Sequence, residues 1–304
     1  MNAVTGAFGY TGKYIARRLL QAGETVITLT GNPSRANEFG SAVKAFPFDF
    51  DHPEAMAASL SGVRVLYNTY WVRFDRGDAT HGRAIQNTMA LMRAAQMAGV
   101  QRIVHISITN PDASSRLPYF RGKALLEQEI RAAKMSYAIL RPTVLFGAED
   151  VLINNIAFLL RRLPVFLVAG DGQYRIQPVY VEDLARIAVE VGGRPENMTL
   201  DAVGPDIFRY EELVRLIAKT VGSKAILMHG PPWLALLGAR TMGMALRDVV
   251  LTRDELDGLM GNLLVSDAAP TGTTRLSEWM PANAATLGKR YAHEIGRHYR
   301  GGKR

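Results

Sequence analysis

The sequence predicts an α/β fold, in which a doubly wound parallel sheet is followed by a smaller, mainly helical C-terminal lobe. Short apolar runs typical of strands alternate with amphipathic segments over the first half of the 304-residue chain. Each return from one strand to the next has room for a helix, as a crossover between parallel strands requires. After Gly147 the alternation becomes looser, and from about residue 206 the pattern is mainly helical.

The apolar runs predict six strands, at AVT (3–5), TVITLT (25–30), AVKAFPF (42–48), VRVLYN (63–68), RIVHIS (102–107) and YAILRP (137–142). Helices are expected between them, over residues 10–22, 53–60, 77–98 and 119–134. Further along we expect a helix over 150–163, a turn at 169–175, a strand end and helix over 179–192 and a strand at AILMH (225–229). We place the sheet domain at 1–205, with 150–178 contributing to the lobe, and the lobe with its tail at 206–304.

Composition narrows the class of protein. Hydrophobic residues make up 48% of the chain and charged residues 21%, which is typical of a globular domain. The absence of cysteine excludes disulfides, thiolate nucleophiles and cysteine-ligated metals. The six histidines are scattered without an HExxH pattern, so we expect no metal site. No uncharged run reaches the ~18 residues of a membrane helix, so we expect a cytoplasmic protein without an integral membrane segment.

The net charge of +8 is concentrated at the C-terminus, where residues 289–304 contain six basic residues and one acid. This tail is either solvated or in contact with an acidic partner or membrane surface. No basic stripe is interleaved with aromatic residues, so we do not expect nucleic-acid binding. The apolar run GPPWLALLGARTMGMAL (230–246) is interpreted as a lobe helix that packs its apolar face, with a membrane segment as the alternative. Trp233, Met242 and Met244 would equally suit an apolar substrate pocket.

The stretch TGAFGYTGK carries the first functional signal. Gly6, Gly9 and Gly12 lie between the first predicted strand and the first predicted helix. In a Rossmann nucleotide-binding unit, such glycines allow a tight turn, close approach to a pyrophosphate and close helix packing. The following helix offers its N–H groups to the phosphates. The three-residue spacing of these glycines differs from the usual G-x-G-x-x-G, so a purely structural turn is the alternative. If the loop binds a nucleotide, its contacts would also include Phe8, Tyr10 and Thr11.

The end of the second strand reads LTGNPSR and suggests which dinucleotide is bound. An acid at this position would bond the ribose hydroxyls of NAD, whereas a cation favours the 2′-phosphate of NADP. No acid lies between Thr25 and Asn37, while Asn32 and Arg35 are present. This pattern favours NADP over NAD, although Arg35 would fit equally well as an exposed residue at a helix start.

Four motifs together resemble one family: TGAFGYTG, YFRGK (119–123), LRPTVLFG (140–147) and VYVEDLA (179–185). Over roughly residues 1–205 the chain resembles the short-chain dehydrogenase/reductase superfamily. It is most similar to the extended and atypical members: NAD-dependent epimerase/dehydratase-like proteins, NmrA-like proteins and relatives of the NADPH-binding accessory subunit of respiratory complex I. The resemblance implies that the cofactor contacts include Asp49 and Phe50 on the adenine side, Asn68 and Thr69 after the fourth strand, and Pro142 and Thr143 in a loop beginning at Arg141.

The chemistry of this superfamily uses a Tyr and a Lys four residues apart, which share one face of a helix. Tyr119 and Lys123 match that spacing. Tyr119 would be the general acid/base, and Lys123 would lower its pKa and bond the nicotinamide ribose. Ser107 or Thr109 would polarise the substrate carbonyl, but Ile108 between them departs from the family pattern.

The resemblance therefore predicts an NAD(P)-dependent oxidoreductase or epimerase acting on a small-molecule carbonyl, hydroxyl or sugar-nucleotide substrate. The alternative is a non-catalytic regulatory or assembly protein that binds NAD(P)H. Either function is compatible with a homodimer.

Overall fold

The computed structural model describes residues 1–295. Within them the chain forms two compact units. The first comprises Met1–Pro142 and Leu184–Asp201, and the second comprises Thr143–Asp183 and the chain from Ala202 onward. The basic residues of the predicted tail beyond 295 lie outside the described residues.

A seven-stranded sheet forms the centre of the first unit. Its strands are β1 (Asn2–Thr5), β2 (Val26–Thr30), β3 (Val43–Pro47), β4 (Val65–Asn68), β5 (Arg102–Ile106), β6 (Ser136–Pro142) and β11 (Met198–Ala202). The spatial order is β11-β6-β5-β4-β1-β2-β3, and β1 to β6 pair in parallel with their neighbours. The predicted doubly wound parallel sheet is confirmed.

Helices connect these strands: α1 (Tyr10–Gln21), α2 (Pro53–Ser59), α3 (His81–Met97) and α4 (Pro118–Ala132), with α6 (Val181–Gly192) leading into β11. The helix predicted from residue 77 begins at His81, because the Thr80 hydroxyl accepts a hydrogen bond from the Arg83 backbone N–H and caps it there. The strands β1, β2, β4 and β5 are buried along their whole length, as expected for a parallel sheet covered on both faces.

The second unit combines helices with three short strand pairs. Its elements are β7 (Val144–Phe146), α5 (Leu152–Leu160), β8 (Val165–Ala169), β9 (Arg175–Ile176), β10 (Pro178–Tyr180), β12 (Phe208–Arg209), α7 (Tyr210–Thr220), β13 (Ile226–Gly230), α8 (Pro232–Leu246), α9 (Arg253–Met260) and α10 (Leu276–Ala282). The pairs are β7–β10, β8–β13 and β9–β12. Its core includes Phe146, Leu213 and Met280.

The expectation that α8 packs its apolar face holds for one side of this helix. Gly243 is buried there, and the half-buried residues include Leu236, Met242 and Leu246. Trp233 is 63% exposed and Met244 67% exposed. A second side of α8 is therefore apolar as well and faces outward.

Candidate functional site

The site lies where the strand order reverses direction. β1 lies between β2 and β4. The chain runs from β1 through β2 to β3 at one edge of the sheet and then returns to β4 on the other side of β1. In open α/β sheets, a crevice forms at the carboxyl ends of the strands at this switch point. The glycine loop follows β1, and Thr69 and Tyr70 follow β4, so both segments lie at this crevice.

The geometry of the glycine loop explains why glycine occupies each of the three positions. Gly6 has a φ of +63°, in the left-handed region that favours glycine. A Cβ at Gly12 would lie 2.4 Å from the Gly6 carbonyl oxygen, so Gly12 allows α1 to pack closely on the end of β1. A Cβ at Gly9 would lie 3.1 Å from the same oxygen. Gly9 ends the loop, and its backbone N–H donates a hydrogen bond to the Gly6 carbonyl oxygen at 2.7 Å.

The start of α1 carries neither a side-chain cap nor an acid in its first turn. The positive end of the helix dipole is therefore not balanced by a carboxylate of its own first turn, which suits the binding of an anion. Phe8 is buried, and Tyr10 packs its ring edge-on against Tyr14 at 5.7 Å. Thr11, in the first turn, is half-buried.

A hydrogen-bond network joins the ends of β1 and β4. The Thr5 hydroxyl donates to Asn68 Oδ1 at 3.1 Å and accepts from the backbone N–H groups of Thr69 and Tyr70 at 2.8 and 3.1 Å. The Thr69 hydroxyl donates to the Thr5 carbonyl at 2.6 Å. Asn68 is fully buried and its amide lies 3.0 Å from His105 Nδ1. Asn68, predicted as a cofactor contact, therefore also fixes the relative position of three strands.

Lys123 is buried, with 2% of its surface exposed. Its ammonium donates to the Ile106 carbonyl at 2.6 Å and lies 4.5 Å from the ring centroid of Trp71. Burial lowers the pKa of Lys123 to about 7, although the Glu127 carboxylate raises it. The nearby His105 is fully buried, and burial together with the Lys123 charge lowers its pKa well below the usual value. His105 is therefore neutral, and its Nε2 finds no hydrogen-bond partner within residues 1–295.

Aromatic side chains cover the Tyr119–Lys123 pair. The Trp71 ring meets the Tyr119 ring edge-on at 5.6 Å, and the His81 ring lies 5.9 Å from Tyr119. A Cβ at Gly122 would lie 2.8 Å from Trp71 Cη2, so the indole packs directly on α4. Trp71 is thus a site residue that motif reasoning missed, because it belongs to an irregular loop and reaches α4 only in the folded chain.

The two predicted substrate hydroxyls donate their hydrogens within the protein. Ser107 donates to Glu127 Oε1 at 2.6 Å, and Thr109 donates to the Arg141 carbonyl at 3.1 Å. Burial alone would raise the pKa of Glu127, but the hydrogen bonds from Arg141 and Ser107 bring it below the usual value. Arg141 binds this carboxylate through two nitrogens, at 2.9 and 2.6 Å. Both hydroxyls therefore stabilise the fold around β5, α4 and β6.

Asp49 and Phe50, the residues expected on the adenine side, follow β3. The Asp49 carboxylate accepts from the His52 backbone N–H at 3.2 Å and so supports the start of α2. Phe50 stacks on Phe48 at 4.8 Å and lies 5.2 Å from Tyr70. This cluster of Phe48, Phe50 and Tyr70 forms an aromatic surface between the ends of β3 and β4.

Asn32 and Arg35 lie in the turn after β2. The Asn32 side chain accepts from Ser34 at 3.0 Å, and its backbone carbonyl accepts from the Arg35 N–H at 3.2 Å. Arg35 thus lies beyond the carboxyl end of β2. The glycine loop follows the carboxyl end of β1, the parallel neighbour of β2, so both segments lie at the same end of the strands.

Pro142 and Thr143 occupy positions different from the expected loop. Arg141 and Pro142 belong to β6, and the Pro142 carbonyl accepts from the Thr109 N–H at 2.9 Å. Thr143 begins the second unit, where its hydroxyl donates to the Gln177 carbonyl. Residues 1–295 contain no group of acidic or histidine side chains that could hold a metal ion, and none of their helices is long and apolar enough to cross a membrane.

Comparison with protein families gives the cofactor class. Residues 6–154 match the model of a family described as NAD(P)H-binding. The chain carries an NAD(P)H-binding domain. This match confirms the predicted cofactor class, and with the relatives described below it confirms the resemblance to the extended and atypical short-chain dehydrogenase/reductases.

Relatives of this NAD(P)H-binding protein include respiratory and photosynthetic proteins. It is 27% identical to NADH dehydrogenase [ubiquinone] 1 alpha subcomplex subunit 9 of Arabidopsis thaliana over 70% of this chain and 56% of that protein. The chain thus spans little more than half the length of that relative. The mouse protein of the same name is 24% identical over 90% of this chain and 74% of its own length. Photosystem II assembly factor Ycf39 of Guillardia theta is 26% identical over 73% of this chain and 70% of its own length.

Solved structures share the fold of this NAD(P)H-binding protein. The NADPH-dependent quinone oxidoreductase QOR2 of Escherichia coli superposes with a TM-score of 0.76 at 21% identity, over 93% of this chain and 99% of that one. A nucleoside-diphosphate-sugar epimerase of Staphylococcus aureus superposes with a TM-score of 0.73 at 15% identity, over 92% of this chain and 100% of that one. At these identities the likeness concerns the fold alone.

Proposed function

We propose that this protein holds NAD(P)H as a structural or sensed ligand and serves as an accessory or assembly subunit of a larger protein complex, without turning over a substrate. The environment of Lys123 carries this proposal. A catalytic lysine of this type must remain a charged ammonium near the phenol and within reach of the nicotinamide ribose. Lys123 instead donates to the Ile106 carbonyl, lies under Trp71 and has a pKa lowered by burial to about 7.

The consequence for Tyr119 is electrostatic. A neutral amine does not stabilise a tyrosinate. Lys123 therefore lowers the pKa of the Tyr119 phenol only in those molecules in which Lys123 itself is protonated. The hydroxyls that would polarise a carbonyl, on Ser107 and Thr109, donate to Glu127 and to the Arg141 carbonyl. Lys123 and both candidate hydroxyls are therefore engaged within the fold.

The relatives support the same proposal. Those named above are a subunit of a respiratory complex and a photosystem assembly factor. We propose that this chain likewise acts through a protein partner. The cytoplasmic location and the homodimer expected from the sequence stay predictions, since these relatives are organellar proteins.

A second candidate function is the predicted oxidoreductase or epimerase with a small-molecule substrate. The observation that favours it is that Tyr119 and Lys123 both contact Trp71, so the pair is assembled on one side of α4. Movement of the indole would be needed before Lys123 could reach a nicotinamide ribose.

The test uses the full chain and its Tyr119→Phe variant. Calorimetric titration with NADPH and NADH should give binding to both proteins, with NADPH preferred. Ketones, aldehydes, quinones and nucleotide sugars are then screened by absorbance of the reduced nicotinamide and by product chromatography. We expect no turnover in any class. A turnover that Tyr119→Phe lowers by about 10²-fold or more, with cofactor affinity retained, would establish the second candidate instead.

A further inference from the structure

Most of the exposed large hydrophobic side chains of the described residues lie outside the nucleotide site, in the second unit. Six of the eleven large hydrophobic side chains that are exposed fall between residues 226 and 244. We call them the α8 face; they are Ile226 and Met228 on β13 and Trp233, Leu234, Leu237 and Met244 on α8. Contiguous exposed apolar patches of this kind mark interaction surfaces.

The spacing along α8 makes this surface continuous. Trp233, Leu237 and Met244 are separated by four and seven residues, so they fall within one arc of the helix. Gly243, the buried residue, lies on another side of the helix. At the start of α8, Leu234 Cδ2 lies 3.4 Å from the Cβ position of Gly230, so the helix packs back on the end of β13. On β13, Ile226 and Met228 alternate with Leu227 and share one side of the strand.

The charged residues within the segment that forms the α8 face have one sign. From Lys224 to Arg247 the sequence contains three cations, Lys224, Arg240 and Arg247, and no Asp or Glu. All three are exposed. The next acid, Asp248, is buried and accepts from the Glu294 and Ile295 N–H groups at 2.7 and 2.9 Å. Arg240 lies three residues after Leu237 and four before Met244, so it falls within the apolar arc of α8, while Lys224 precedes β13 and Arg247 follows α8. One acid, Glu211, lies 3.2 Å from His229 of β13. The α8 face is thus apolar, with cations within it and at its two ends.

We propose that the α8 face binds the surface of an anionic lipid bilayer, with α8 lying in the headgroup region and its apolar side chains inserted. A helix side that combines tryptophan and other apolar residues with Lys and Arg, whose long side chains can extend to the headgroups, is found in interfacial helices. Anionic headgroups complement Lys224, Arg240 and Arg247, while the acyl boundary covers Trp233, Leu237 and Met244.

A second copy of the chain fits this surface less well. A two-fold contact places the same patch on both copies, so it would bring the three cations of one α8 face toward those of the other without an acid in the patch to compensate. A bilayer supplies both an apolar layer and negative charge, and it requires no shape complementarity.

The first test is sedimentation of the full chain with vesicles. We expect binding to phosphatidylcholine mixed with phosphatidylglycerol, much weaker binding to phosphatidylcholine alone, and a decrease with added salt. Leu237→Glu and Met244→Glu should each lower the apparent affinity by about tenfold or more, because an inserted side chain is replaced by an anion. Met97→Glu is the matched control, since Met97 at the end of α3 is 63% exposed, nearly as much as Met244 at 67%.

Two further measurements complete the design. Emission from Trp233 should shift to shorter wavelength with anionic vesicles, and the shift should be absent in Trp233→Phe. Thermal unfolding and NADPH affinity should be unchanged in the α8 variants, which separates this proposal from that on cofactor function. Failure of the wild-type chain to bind anionic vesicles overturns the proposal, as does full binding by Leu237→Glu. A change from dimer to monomer in Leu237→Glu, measured by light scattering without lipid, would show that the face joins two copies instead.

Discussion

Lys123 illustrates how burial changes the chemistry of a side chain that the sequence presents as catalytic. Its pKa falls from 10.5 to about 7 because the ammonium is buried beneath the Trp71 ring and loses its hydration. Below about pH 7 both the folded and the unfolded chain carry the proton, and the folded state then bears the whole cost of a buried charge. Between about pH 7 and 10.5 only the unfolded chain is protonated, so the free energy of unfolding rises with pH across that window.

Replacing Lys123 with methionine should therefore stabilise the protein, most strongly below pH 7, with the advantage shrinking as pH rises. The free energy of unfolding from urea titrations at about pH 6 and about pH 9 measures this difference. Lys224→Met removes an exposed lysine and should leave the pH dependence of the wild type unchanged. A Lys123→Met variant that is less stable than the wild type at the lower pH would contradict the burial argument.

Arg35 is the residue on which the proposed preference for NADP depends. If its guanidinium binds a 2′-phosphate, Arg35→Ala should weaken NADPH by about 1.5–3 kcal/mol, the range of a charge-assisted hydrogen bond, and leave NADH nearly unaffected. Calorimetric titration with both nucleotides is the measurement, and Arg253→Ala is the control because its side chain is 82% exposed on α9. Equal losses for the two nucleotides would mean that Arg35 does not discriminate between them.

At the scale of elements, two glycines at the junction of β1 and α1 should have different roles. We expect Gly12 to be needed for folding and Gly9 for nucleotide binding. Gly12→Ala would place a Cβ 2.4 Å from the Gly6 carbonyl, so α1 must move away from β1. We expect a loss of about 1–3 kcal/mol in the free energy of unfolding, as for other overpacked sites. Gly9→Ala meets the same oxygen at 3.1 Å, so the fold should survive while NADPH affinity falls. If the two variants lose stability equally, the distinction between the two glycines is wrong.

The start of α5 depends on a buried carboxyl group in the second unit. Asp150 accepts from the Ile153 N–H at 2.6 Å, from the Asn154 amide at 2.8 Å and from the Gly147 N–H at 3.3 Å, while burial raises its pKa to about 7. Asp150→Asn keeps the shape but turns an amide N–H₂ toward these donors, and should cost about 1–3 kcal/mol of unfolding free energy.

The melting temperature reports this loss, and Asp112→Asn supplies the comparison. Asp112 is exposed and accepts from Ser114 only in a surface turn. Its replacement should shift the melting temperature little. A similar shift for both variants would show that burial at Asp150 does not matter.

For the whole molecule, two ligands should protect two different segments. Hydrogen exchange with bound NADPH should slow in residues 6–12 and 69–71, which form the glycine loop and the segment after β4. Anionic vesicles should slow exchange in residues 233–244 of α8. Protection of the glycine loop by vesicles alone would contradict the assignment of the lipid surface to α8.

The α/β half of this fold could be predicted because its signals are local. Four of the six parallel strands, β1, β2, β4 and β5, are buried along their whole length. Each helix between the strands has its own periodicity, so one window of sequence is enough to recognise these elements. The strand end expected at residue 179 corresponds to β10, whereas the short strands β7, β9 and β12 are not predicted, since strands of two or three residues have no measurable period. The helix over residues 77–98 was placed too early because apolar spacing does not show where Thr80 caps it.

The sequence by itself determined the parallel sheet, the glycine loop at its first strand and the class of cofactor, since these follow from residues close together in the chain. Only the tertiary structure decided that Trp71 covers Lys123, that Ser107 donates to Glu127 and that one apolar side of α8 faces outward. The physical reason is the same in each case. The pKa of a side chain, the partner of a hydroxyl and the exposure of a helix face depend on groups brought close by folding, and these are distant in the sequence.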